Sequence, residues 1–287
     1  MKNWIIILLL LISSVGYSQK LTIIEQDYEK ARKIALKENK LLFIDFYTTW
    51  CAPCKKLDKL IFQNDTISAK IGKNFVLLRY DAEQDKTHNL SKKHHVNSYP
   101  TGIILNSKGF VLNRKYGFAG DDLKELNKSV FEFITESINL NKRNKILKGY
   151  SDKIEISKYP AFYIDFVNRD DKKATSRSDF KEYWNKKHDI LSEGYFSTLV
   201  YFANKLPTNI ADNFLKKKST YIELYGETDV SVALLFLTFG KFEDAIENKS
   251  QSKFDLASKF AKEALEEEHA NYNIKMFKEE FDKKKSE

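Results

Sequence analysis

The segment Trp50-Cys51-Ala52-Pro53-Cys54-Lys55 holds the only two cysteines of the chain, two residues apart. Ahead of it, Leu41-Leu42-Phe43-Ile44-Asp45-Phe46-Tyr47 is an apolar, aromatic run with one acid in it, the pattern of a buried strand. Behind it, Lys55 to Phe62 has helical spacing and extends to about Gln63. A C-x-x-C where a strand meets a helix is a reactive dithiol, because the unpaired N–H groups and the dipole of the helix N-terminus favour a thiolate on the first sulfur. Other uses of the pair fit less well. A bridge over two residues closes too small a loop to constrain the unfolded chain much. Zinc needs two further ligands, and neither a second C-x-x-C nor an H-x-x-x-H is present, so no metal or other cofactor is expected. The adjacent His94-His95 is read as surface or loop histidine.

The chain has 287 residues, enough for about two domains. It is 42% hydrophobic and 31% charged, and its 10 Gly and 4 Pro argue against long flexible linkers. The formal charge of +8 comes from lysines scattered among acids, and the runs at Lys216–Lys218 and Lys283–Lys285 are short. That distribution reads as solvated surface and not as a nucleic-acid footprint. Residues 1–18 look like a signal peptide. Met1-Lys2-Asn3 is a short charged start, Trp4 to Ile12 is apolar, and Gly16 and Ser18 stand at the −3 and −1 positions for cleavage before Gln19. The apolar run is well short of the roughly 20 residues that span a bilayer, and no cysteine near the cleavage point could carry a lipid. The expectation is an exported protein without a stable membrane anchor, periplasmic in a Gram-negative cell, where disulfides are permitted.

From Thr22 to Asn39 the pattern reads as one amphipathic helix with Tyr28, Ala31, Ile34 and Ala35 on its apolar face. After the strand, the dithiol and its helix, Asp65 caps a short helix to about Gly72, Phe75–Tyr80 is a second buried strand closed by Asp81, and Asp85–His94 is a helix with Leu90 inward. Ile103–Leu105, the turn Asn106–Gly109 and Phe110–Leu112 form an antiparallel hairpin, and a helix starts near Asp121. Helices between the early strands imply parallel crossovers in a mixed sheet. The fold class is therefore an α/β domain over residues 19–140, a mixed sheet flanked by helices, followed by a mostly α-helical domain over 141–287. The helical candidates there are Ser178–Glu193, Tyr195–Asn204, Thr208–Tyr225, Asp229–Phe239, Lys241–Lys249 and Phe254–Lys283, with Lys153–Phe166 ambiguous.

Phe43 to Lys55 resembles the active-site segment of thioredoxins, and Tyr99-Pro100-Thr101 before the hairpin resembles that family's cis-proline loop. Asp81, the hairpin and Gly117 also fall in family order, so the resemblance spans about residues 22–140; the helical half resembles no family by its residues. The resemblance implies that Cys51 is a partly exposed nucleophile and Cys54 the resolving thiol, with Pro53 stiffening the pair. It implies that Asp45, on the buried strand, moves the proton of the resolving cysteine. Trp50 would flank and shield the thiols, and a cis Pro100 would present the backbone of Tyr99 to an extended substrate. Many members carry a lysine beside the acid, whereas Leu77 takes that place here. The function implied is exported thiol–disulfide exchange, reducing protein disulfides and recharged by a membrane electron carrier, since no second redox motif is present. Ala-Pro between the cysteines is close to the Gly-Pro of reducing thioredoxins and lacks the histidine of strongly oxidising relatives. A disulfide isomerase, or a chaperone-like binding protein whose helical half holds clients, is the alternative.

Overall fold

The computed structural model describes residues 20–170, 172–173 and 178–286, so the leader read in residues 1–18 lies outside the described residues. Five strands, β1 (Thr22–Glu25), β2 (Leu41–Tyr47), β3 (Phe75–Asp81), β4 (Thr101–Leu105) and β5 (Val111–Tyr116), pair in the order β1-β3-β2-β4-β5. β1 and β2 lie parallel to β3, while β4 and β5 are antiparallel to their neighbours. The parallel pairs demand crossovers. α1 (Tyr28–Lys37) makes the first, and α2 (Ala52–Leu57), a π-helical turn (Asp58–Phe62) and α3 (Asp65–Gly72) make the second. Asp27 and Asn64 cap α1 and α3 by accepting the N–H of Lys30 at 2.9 Å and of Ile67 at 3.1 Å.

Two local expectations are corrected. Thr22–Glu25 is a strand and not the start of α1, because Ile23 and Ile24 pair in register with Leu77 and Leu78 of β3. The helix read at Asp85–His94 shrinks to α4 (Leu90–Lys93). The Asp85 carboxylate accepts the N–H groups of Leu90 at 3.1 Å and Ser91 at 2.8 Å and the Tyr80 hydroxyl. Asp85 thereby anchors the preceding residues as a loop, with Asn89 in the left-handed region.

Strand alternation sorts the sheet into two faces. Phe43, Phe75 and Leu77 face α2, α3 and α5 (Leu123–Lys142) in one core. Leu42, Ile44, Phe46, Val76 and Leu78 face the other way, toward α1 and into a core shared with the helical region, which supplies Tyr150, Phe196 and Tyr225. That region contains α6 (Ala161–Val167), α7 (Ser178–Asn185), α8 (Glu193–Phe202), α9 (Thr208–Lys216), α10 (Lys218–Tyr225), α11 (Glu227–Glu247), α12 (Gln251–Ala264) and α13 (Glu267–Ser286). The long segments read at Thr208–Tyr225 and Phe254–Lys283 each divide into two helices. The two read on either side of Gly240 are one, α11. No helix among the described residues is long and apolar enough to cross a membrane.

The histidine pair is not on the surface. His94 and His95 are buried, and His95 lies within a polar junction between the sheet and the helices. Its Nε2 is 3.0 Å from Asp229 Oδ2 and its Nδ1 is 3.2 Å from Ser197 Oγ. Burial, and then the Arg114 charge, push the His95 imidazole down to about 4, so it is neutral near pH 7. A neutral ring facing a carboxylate must carry its hydrogen on Nε2, leaving Nδ1 to accept from Ser197. Burial alone would raise the Asp229 carboxyl, but Arg114 and His95 outweigh it and hold the group far below the usual carboxylate range. Arg114 Nε is 3.0 Å from Asp229 Oδ1, and the Tyr150 hydroxyl donates to Oδ2 at 2.7 Å. Asp229 is 134 residues from His95, so no local sequence pattern links them.

Candidate active site

Cys51 is the N-cap of α2, and its Sγ accepts the N–H of Cys54 at 3.2 Å. Cys51 and Cys54 are joined in a disulfide, with Cα atoms 5.3 Å apart. Pro53 sits in the first turn of α2, where a missing N–H leaves no bond unmade. Cys51 is 3% exposed, less than the partly open sulfur expected for it, while Trp50 is 62% exposed. The tryptophan is the part of the motif that meets solvent.

Asp45 lies on β2 six residues before Cys51 and is completely buried. Neither of its oxygens accepts a hydrogen bond from a described residue. Burial drives its carboxyl upward, Arg79 pulls it down, and Asp58 and Glu25 push it up, for a net rise to about 7. The acid does have a cation beside it, Arg79, although Leu77 takes the place of the family's lysine. In the parallel register Leu77 is level with Phe43, and Arg79 is the residue level with Asp45. Arg79 Nε stands 3.7 Å from Asp45 Oδ2, and Nη1 stands 3.2 Å from Asp58 Oδ2 and 3.8 Å from Glu25 Oε1. Its guanidinium also lies 4.4 Å from the Tyr47 ring. Register was the signal that could have found Arg79: two residues further along the strand is the same face, one level on. A cleft of about 270 Å³ borders Cys54, Asp58 and Arg79, so Arg79 stands between this opening and Asp45.

The second wall comes from the loop before β4. The Tyr99–Pro100 peptide is cis, and the Pro100 carbonyl accepts the N–H of Gly117 at 2.8 Å. The Tyr99 ring stands edge-on to Trp50, with centroids 6.0 Å apart. The Trp50 indole N–H donates to Glu83 Oε1 at 2.8 Å. On the far side, Arg169 Nη2 donates to the Tyr99 hydroxyl at 2.8 Å. Glu83 and Arg169 went unread in the sequence. Arg169 follows α6, outside the stretch that resembles a thioredoxin, so only three-dimensional proximity could reveal it. The structure therefore brings Cys51, Cys54, Pro53, Trp50, Tyr99 and Pro100 to one end of the sheet, with Asp45 beneath. Such an arrangement can exchange a disulfide and hold a proton near neutral pH.

A family model described as thioredoxin-like matches residues 23–107. Thioredoxin-1 of Drosophila melanogaster is 31% identical over 108 residues, which is 38% of this chain and 91% of that protein. The thioredoxin of Mycoplasmoides gallisepticum is 33% identical over 94 residues, 32% of this chain and 87% of its own. Among solved structures, that of a protein proposed as a disulphide-isomerase from Bacteroides thetaiotaomicron shares 38% identity. It covers 40% of this chain and 94% of its own, with a TM-score of 0.34.

Proposed function

The chain belongs to the thioredoxin family and is a thiol–disulfide oxidoreductase, and on that premise we propose that it reduces protein disulfides outside the cytosol. The observation that carries the proposal is the Cys51–Cys54 pair at a helix N-terminus, above a buried carboxyl that titrates near neutral pH.

In the reduced protein the Cys51 thiolate attacks one sulfur of a substrate disulfide. A Cys51–substrate bond forms, the substrate disulfide breaks, and the first substrate sulfur leaves as a thiolate that takes a proton. Cys54, deprotonated, then attacks the Cys51 sulfur. The Cys51–Cys54 bond closes and the second substrate thiol is released, so two electrons have passed to the substrate. Asp45 is the acceptor of the Cys54 proton, and its raised pKa suits it to that task. Pro100 and Tyr99 hold the substrate backbone, Trp50 covers the exchanging sulfurs, and Pro53 keeps the helix start rigid. A membrane electron carrier returns the pair to the dithiol form.

Reduction is favoured over oxidation by the Ala-Pro between the cysteines, which places no histidine beside the thiolate. The deciding measurement is the potential of the Cys51–Cys54 couple. A value near about −270 mV supports a reductant, and one near about −120 mV makes the protein an oxidant. Cys51→Ser is expected to abolish turnover of a disulfide substrate supplied with dithiothreitol, and undiminished turnover would sink the mechanism. Isomerisation or client holding by the helical half is the second reading. It draws on the Arg169 contact, through which that half reaches the substrate loop. Recovery of activity from a scrambled multi-disulfide protein, faster than reduction alone allows, would favour it. Export is tested by fractionating cells that make the full chain, and retention in the cytosol contradicts it.

A further inference from the structure

Four side chains line the rim of the dithiol in sequence: Glu83, Trp50, Tyr99 and Arg169. Three belong to the thioredoxin part, and the fourth comes from the helical region. The acids nearby are engaged. Glu83 accepts the Trp50 indole, Asp85 accepts the Tyr80 hydroxyl and the amides of Leu90 and Ser91, and Asp170 accepts the Lys173 amide at 3.1 Å. Arg169 is exposed, its side chain makes one hydrogen bond among the described residues, to the Tyr99 hydroxyl, and its guanidinium lies 5.4 Å from the Tyr99 ring centre. It forms no ion pair among the described residues. A guanidinium carries five N–H donors in a planar fork that matches a carboxylate. Beside it opens a recess of about 230 Å³ whose lining sets Lys86 and Lys92 against Glu83 and Asp85, so that with Arg169 the cations are in excess by one.

On the oxidoreductase reading above, we propose that Arg169 is a specificity-determining residue that selects polypeptide disulfides with an acidic side chain beside the cysteine. A substrate strand pairing along the Tyr99–Pro100 loop advances about 3.3 Å per residue. Its residues one or two places from the cysteine therefore pass Tyr99 and come within reach of Arg169, whose other side-chain donors meet no acceptor among the described residues. The hydrogen bond to the Tyr99 hydroxyl holds the guanidinium in place, which lowers the ordering cost of binding a carboxylate. The helical region thus supplies substrate choice to chemistry carried by the other half.

The test uses the full chain and three disulfide peptides that differ only in Glu, Gln or Lys next to the cysteine, with bis(2-hydroxyethyl) disulfide as an uncharged reference. Within each variant kcat/KM is taken as a Glu-to-Lys ratio, so that any general change in turnover cancels. The parent is expected to prefer the Glu peptide by about tenfold, as one charge-assisted contact allows. In Arg169→Met the ratio falls toward about 2, while Arg169→Lys keeps part of it, and added salt erodes it in the parent. No preference in the parent, or the same preference in Arg169→Met, overturns the proposal. Failure of the parent to reduce even the uncharged reference overturns the oxidoreductase reading and this inference with it.

Discussion

Asp45 is ionised at a stability cost. Its carboxyl has an ordinary value of 3.8 and is raised to about 7 in the fold. Between these values the unfolded chain sheds the proton first, so stability declines as pH rises from about 4 to about 7, and the whole deficit is present above that. Asp45→Asn removes this titration. The stability gap between variant and parent is expected to be near zero at pH 3.5 and to reach the order of 4 kcal/mol by pH 8, read from urea midpoints at the two pH values. A gap independent of pH contradicts the raised carboxyl. Arg79→Met takes away the charge that draws the group down, so Asp45 should titrate higher still. The carbon-13 shift of its carboxyl followed against pH reads this directly, and an unmoved midpoint shows that the Arg79 pair does not count. Both variants also bear on function. If Asp45 takes the Cys54 proton, Asp45→Asn slows the second exchange and lets the mixed disulfide accumulate.

Among the elements, α11 shows most clearly how a close approach overrides local propensity. Glycine within a helix costs about 1 kcal/mol relative to alanine, which is why the sequence suggests a break at Gly240. In the fold a Cβ at that position would come within 2.6 Å of the Asn204 carbonyl oxygen. Gly240→Ala is therefore expected to destabilise by roughly 1–3 kcal/mol despite its better helix propensity. A higher Tm for the variant would refute the contact. The same distinction separates what could be read in the sequence from what could not. β2, β3, the hairpin and the dithiol helix were legible because continuous apolar runs, Cys51-Ala52-Pro53-Cys54 and the turn at Asn106–Gly109 are local signals. The Asp45–Arg79 level depends on which strand pairs with which, and the Asp85 anchor depends on a carboxylate folding back onto amides five and six residues on. Arg169 at Tyr99 and Asp229 at His95 join segments 70 and 134 residues apart, and no window of sequence contains both partners.

At the scale of the whole molecule, the junction of Arg114, His95 and Asp229 fastens the helices to the sheet. Asp229→Asn leaves the buried Arg114 charge without its counter-ion, and a loss of about 3–5 kcal/mol is expected. Because the Asp229 carboxyl is depressed in the fold, its contribution is present above the ordinary carboxylate value and is lost as pH falls below it. The difference between variant and parent should therefore narrow in acid, and urea midpoints at pH 7 and pH 3 check it. A chain ending after Lys142 keeps α1 against Leu42, Ile44, Phe46, Val76 and Leu78 but strips Tyr150, Phe196 and Tyr225 from the core that they share. That truncation is expected to aggregate, and a monodisperse product with native turnover would mean that the sheet is self-sufficient. This shared core also sets an order of events during synthesis. The strands emerge within the first 116 residues, yet one face of their sheet waits for Tyr225 before its covering is complete. About a hundred residues of growing chain separate the two, and over that interval the part of the face that α1 leaves bare is open to other chains and to holding chaperones. The dithiol motif leaves the ribosome early, but the body that supports it closes late.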